Sequence, residues 1–275
     1  MRARIAVGDG EVSVDLARPL SLAIDLDFTS AQPRHFGAPA AQARPFTAPG
    51  FSGSVAAGAG CNCSIVSFVP HCNGTHTECV GHLTSEPLDA HRIVPRGLLP
   101  ALLLTCQASD AAQSGETSRP APKPGDVLIS RALLQQGWLR WQDRLPATPL
   151  ALIVRTLPND ADKRRRDYSQ CNPAYFSSDA AEWLLARGIE HLVVDLPSID
   201  RTHDEGQLTA HHVFFGLSAG ARHAAAARRP AATITELAFV PDEVADGFYL
   251  LEIQVPALGG DAVPSRPMLY TVAVP

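Results

Sequence analysis

The stretch His71-Cys72-Asn73-Gly74-Thr75-His76-Thr77-Glu78-Cys79-Val80-Gly81-His82 holds three His, two Cys and one Glu. No other part of the chain is so dense in side chains that bind metals or move protons. Asn73-Gly74-Thr75 is poor helix material, so a turn is expected between Cys72 and His76, with Gly74 letting the backbone fold. His76 and Glu78 are two apart and fall on the same side of an extended segment. Thiolate, imidazole and carboxylate all suit a borderline cation such as Zn²⁺. Cys63–Val69 reads as a strand that Pro70 ends, so the stretch begins where a strand stops.

Working outward, Arg4–Val7 and Glu11–Leu16 flank Gly8-Asp9-Gly10, a hairpin signal, and Leu20–Leu26 alternates as a third strand. Residues 27–60, rich in Pro, Gly, Ala and Ser, and the polar run 107–125 read as long loops. Strands are expected at Gly97–Leu104, Asp126–Ser130, Leu150–Arg155, His191–Asp195, Ile234–Val240, Phe248–Val255 and Leu269–Val274. Helical spacing covers Arg131–Asp143. A capping-box pattern opens a helix at Asp179, and Gly188 closes it. Lys163-Arg164-Arg165-Arg166 reads as a solvated face. With 45% hydrophobic and 19% charged residues over 275 positions, a packed core of mixed α and β is expected.

The formal net charge of −5 and the lack of a basic patch argue against nucleic acid. No apolar run is long enough to span a membrane, and the N-terminus lacks a signal-peptide pattern, so a cytoplasmic location is expected. Six Cys are too few for a disulfide scaffold in a chain of this length. Cys61 and Cys63 leave open a closed structural zinc site with Cys72 and His76.

Cys72 to His82 resembles the motif H-x-G-T-H-x-D-x-P-x-H of the metal-dependent cyclase/kynurenine formamidase family, which also contains isatin hydrolases. Gly74, Thr75, His76 and His82 match; Cys72 stands for the first His, Glu78 for Asp and Val80 for Pro. Further matches follow in order. Trp183-Leu184 resembles the D-A-A-x-W-L helix, and Asp195 to Asp200 resembles D-x-x-S-x-D. Ala210-His211-His212 resembles the A-H-x element, Glu236-Leu237 lies in the E-x-L element, and Val263–Pro267 resembles the closing P-x-R segment. Glu236 lies farther from His211 than the family spacing, which implies an Ala/Arg-rich insertion around 217–232.

The resemblance implies one swivelling β/β/α-type domain over residues 1–275. It implies a metal centre on Cys72, His76, Glu78, His211 and Glu236, with His82 as general acid or base. His71 remains the rival of Cys72, and His212 that of His211. Asp195 and Asp200 are read as caps. One or two Zn²⁺ are expected, Mn²⁺ being disfavoured by a thiolate. The activity implied is hydrolysis of a C–N amide bond, as in an aryl formamide such as N-formylkynurenine of tryptophan catabolism, by a cytoplasmic homodimer. A cyclic-imide or lactone hydrolase, or a non-catalytic metal-binding protein, stands as the alternative. Phe28, Phe36 and Phe46, with the 107–125 loop, would wall an aryl pocket.

Overall fold

A computed structural model describes residues 1–273 of the chain. The strands that build its main sheet are β1 (Arg2–Val7), β2 (Gly10–Asp15), β3 (Leu20–Ser21), β4 (His76–Cys79), β5 (Leu99–Gln107), β6 (Ala151–Leu157), β7 (His191–Val194), β8 (Thr233–Glu236), β9 (Gly247–Gln254), β10 (Ala262–Pro264) and β11 (Arg266–Ala273). Their order is β1-β2-β11-β9-β5-β6-β7-β8-β4-β10, with β3 on β11. The chain is thus a mixed α/β protein around one large mixed sheet.

The centre of that sheet, β5-β6-β7-β8, is parallel. The sequences of β5, β6 and β7 are largely apolar because both faces are covered. Leu102 and Leu104 of β5, Leu152 and Val154 of β6, and Leu192 and Val194 of β7 pack on one face. Ala101, Leu103, Ala151, Ile153 and Val193 pack on the other. The first face carries α1 (Arg131–Leu139), α2 (Ser178–Ala186) and α3 (Thr209–Phe215). Trp138 of α1 meets Trp183 of α2 edge-on at 5.8 Å. The capping box shifts by two residues: Ser177 caps α2, its Oγ accepting from Ala180 N at 2.9 Å. Asp179 instead accepts from Thr117 N and Oγ1.

Two expectations are corrected by long-range bonding. Leu20–Leu26 forms a strand only at Leu20 and Ser21, with a single bridge from Ala23 to Ala238, after which Ile24 N turns to Thr75 Oγ1 at 2.8 Å. The Lys163 end of the basic run is buried rather than solvated. Its Nζ donates to Asp195 Oδ2 at 2.7 Å, to Thr156 O at 2.7 Å and to Thr156 Oγ1 at 2.9 Å. Asp195 also accepts from Thr156 N, so this ion pair clamps the C-terminal ends of β6 and β7 together. Residues 217–232 hold one 3₁₀ turn, Ala224–Ala226. They are tied to the core by Arg229, which donates to Phe214 O at 2.6 Å and to Ile189 O.

The functional consequence of this topology lies at β4. It runs antiparallel between β8 and β10, with His76 opposite both Glu236 and Pro264, and Glu78 opposite Ile234 and Ala262. Alternation sends His76 and Glu78 to one face and Thr77 and Cys79 to the other. Thr77 Oγ1 pairs with Thr235 Oγ1 at 2.7 Å across the strands.

Candidate metal centre

Four of the expected ligands converge. His76, Glu78, His211 and Glu236 are all nearly or fully buried. His76 Nε2 lies 3.5 Å from Glu236 Oε2. His211 Nε2 lies 2.7 Å from Glu78 Oε1 and 3.7 Å from Glu236 Oε1. Directly opposite residues on adjacent strands have neighbouring Cβ atoms, so β-pairing alone delivers Glu236 to His76.

The loop before β4 is pinned by Thr75. Its hydroxyl donates to Leu237 O at 2.5 Å and accepts from Ile24 N, while Thr75 O accepts from Ser265 N. Gly74, with φ 77°, turns the chain into the strand. His76 Nδ1 lies 3.1 Å from Gly74 O, an acceptor, so Nδ1 carries the proton and Nε2 offers its lone pair to the centre.

Asp200 does the same for His211. α3 begins at Leu208, which cannot cap with its side chain. The Asp200 carboxylate takes that role, accepting from Ala210 N at 2.8 Å and His211 N at 3.0 Å. It also accepts from His211 Nδ1 at 2.6 Å, which leaves Nε2 as a bare lone pair facing two carboxylates. Asp200 was read from sequence as a cap; its hold on His211 follows only from the loop that brings it to the helix start. Replacing Asp200 with Asn is expected to weaken metal binding roughly 10–100-fold, as loss of such supporting partners does. Competition titration with a chelating dye measures it.

The polar atoms here lack partners. His76 Nε2, His211 Nε2 and both Glu78 carboxylate oxygens are buried without a hydrogen bond. The close His–Glu approaches do not have hydrogen-bond angles. Buried polar groups are otherwise nearly always satisfied, so this cluster asks for a cation. The charges agree. Burial opposes ionisation of Glu78, yet the positive charges of His82 and His211 hold its carboxyl well below the ordinary range. His211 is raised well above its ordinary value: burial works against it, but Glu78 and Asp200 prevail. Either protons or a metal ion must stand between these groups. Two carboxylates and two neutral imidazoles fit one divalent ion of the zinc type.

Cys72 and His71 take different places from those the motif implies. Among the described residues, ligand-type atoms lie mutually within 4.8 Å in three groups: His71 with His76 and Glu78, His71 with His82 and Asp261, and Glu78 with His82 and His211. Neither Cys72 nor Glu236 is in any of them, though Glu236 reaches His76 and His211 directly. Cys72 is buried, and burial with the nearby Glu236 charge raises its thiol pKa. The reason is local. Cys72 N and Asn73 N both donate to Val69 O, forming a helical-type turn, so neighbouring side chains diverge by about 100° instead of alternating. His71 Nδ1 reaches Glu78 Oε2 at 3.0 Å and its Nε2 reaches Asp261 Oδ2 at 2.7 Å. These carboxylates, against the cost of burial, push its pKa to about 10.

His82 sits beside the centre, its ring 5.5 Å from that of His211. His212 turns away to Leu217 O. Cys61 and Cys63 are exposed and belong to none of these groups, and all six Cys are free thiols. Phe28, Phe36 and Phe46 point outward, 39%, 60% and 40% exposed. Thr117–Arg119 line a cavity of about 1080 Å³ with His212 and Arg228, and none of the three Phe lines it. Asp261, absent from the sequence reading, precedes a short edge strand far from the motif and carries no local signal.

The model of the Cyclase family ("Putative cyclase") matches residues 14–201, and the chain belongs to that family. Solved structures share the fold over nearly the whole length. One is described as a "predicted metal-dependent hydrolase" from Bacillus stearothermophilus, 16% identical, TM-score 0.56, covering 92% of this chain and 98% of its own. A structure described as a "potential metal-dependent hydrolase with cyclase activity" is 17% identical, TM-score 0.58, covering 92% and 97%. Isatin hydrolase A from Labrenzia aggregata is 15% identical, TM-score 0.54, covering 92% and 93%. No curated protein matches the chain in sequence. Among the described residues, no helix is long and apolar enough to cross a membrane.

Proposed function

We propose that the chain is a metal-dependent hydrolase that cleaves a C–N amide bond, with zinc held by His76, Glu78, His211 and Glu236. The observation that carries this reading is the set of buried, partnerless nitrogen and oxygen atoms converging on one point. When bound, a divalent ion lowers the pKa of a coordinated water toward about 7 and so supplies a nucleophile at neutral pH. The chain's own residues do the rest. Gly74 O and Asp200 fix the tautomers of His76 and His211, so both Nε2 lone pairs are ready without rearrangement. Glu78 lies between His211 and His71 and supplies negative charge at the centre. His82, partly exposed beside Glu78, moves the proton to the departing nitrogen.

The family resemblance favours an aryl formamide such as N-formylkynurenine as substrate, in a cytoplasmic dimer. The shared fold with isatin hydrolases keeps a cyclic amide as the second candidate. Turnover by zinc-loaded protein of a panel of formyl-anilides, isatin-like imides and lactones tests the class and separates the two. No hydrolysis of any member would overturn it. Replacing His82 with Ala is expected to keep the His76/Glu78/His211/Glu236 zinc and lower kcat about 10²–10⁴-fold. Steady-state kinetics with metal analysis on the same sample reads both.

A further inference from the structure

Asp261 is the group the mechanism leaves unused, and three observations surround it. Its Oδ2 lies 2.7 Å from His71 Nε2 and 3.4 Å from His82 Nδ1, and the two imidazole rings are 4.2 Å apart. Its backbone is anchored: Cys79 N donates to Asp261 O at 3.0 Å, and Ala90 N to the preceding Gly260 O at 2.7 Å. The turn carrying His82 contains Gly81, where a Cβ would lie 3.0 Å from both Asp261 Cβ and Leu88 Cβ. The glycine is what lets the carboxylate approach His82.

We propose that His71, His82 and Asp261 form a second zinc site, at the outer edge of the His76/Glu78/His211/Glu236 centre. Two imidazoles and one carboxylate are a ligand set that zinc accepts with an open fourth position. Ligands on a tetrahedral zinc with bonds near 2.0–2.1 Å stand about 3.3 Å apart, close to the separations seen. The side chains of His71, His82 and Asp261 are 25%, 26% and 40% exposed, so an ion can enter from solvent. Glu78 Oε2 lies 3.0 Å from His71 Nδ1, so a carboxylate stands behind this ligand imidazole, as supporting carboxylates do in metal sites. The three proposed ligands come from the turn before β4, the turn after it and the residue that precedes β10. Zinc held here occupies His82 Nδ1 and takes that group out of proton transfer. This consequence rests on the reading of His82 as proton carrier; the site itself does not.

The test is equilibrium dialysis of the metal-stripped, full-length chain against zinc, with bound metal counted by mass spectrometry. An equivalent of zinc whose dissociation constant rises at least tenfold in Asp261→Asn supports the site. A change of less than tenfold at every equivalent overturns it. Gly81→Ala, which displaces Asp261 while leaving every ligand in the chain, is read by the same criterion should Asp261→Asn fail to fold. Glu236→Gln is carried alongside. It weakens the inner equivalent alone, so a failure of the inner centre is told apart from a failure of the outer one.

Discussion

Replacing Glu78 with glutamine is expected to remove both metal and turnover. Glu78 is wholly buried on β4 and faces His211 through one oxygen and His71 through the other. An amide keeps the shape but removes the charge that balances the cation. Its nitrogen would turn a donor toward groups that need an acceptor or a metal. Loss of a group that itself touches the ion exceeds the roughly 10–100-fold loss typical of a supporting partner. Zinc analysis of the purified variant should find the inner equivalent gone, with hydrolysis at background. Full metal content with parent-like kcat would exclude Glu78 from the centre.

The second large effect is on stability and lies away from the centre. Asp195→Asn leaves the Lys163 ammonium buried with no counter-charge, at the ends of β6 and β7. Breaking a buried pair from one side costs about 3–5 kcal/mol. For a chain of this size that lowers the melting temperature by roughly 10 °C. Adding Lys163→Met to Asp195→Asn removes the stranded charge and should recover part of the loss. A double-mutant cycle from thermal unfolding gives the coupling. Additive losses would mean that the pair does not interact.

The contrast between these two sites shows what the chain discloses on its own. The parallel strands β5, β6 and β7 are visible as apolar runs because burial on both faces leaves little polar alternation. Helix α1 and the first hairpin are visible through local periodicity and turn chemistry. The centre is half visible. His76 and Glu78 show as a two-residue spacing on a strand, and His211 and Glu236 through resemblance of short motifs in order. What stays hidden is decided by distance in sequence. Lys163 reads as one of four basic residues until Asp195, 32 positions on, draws it inside. Asp261 lies 190 residues from His71 and has no motif around it. How Cys72 and His71 are placed turns on whether residues 69–73 are extended or helical. Two hydrogen bonds to Val69 O decide that, and no side-chain pattern announces them. Asp200 was legible as a cap and not as the partner of His211, because both roles fall to one carboxylate only after the loop closes.

The central claim is that a metal ion sits among His76, Glu78, His211 and Glu236. The most direct measurement is an anomalous difference map at the zinc edge from crystals of zinc-loaded protein. The account predicts a peak within about 2.0–2.2 Å of His76 Nε2, His211 Nε2 and carboxylate oxygens of Glu78 and Glu236. A zinc peak on Cys72, Cys61 and Cys63, with His211 and Glu236 unliganded, would contradict it.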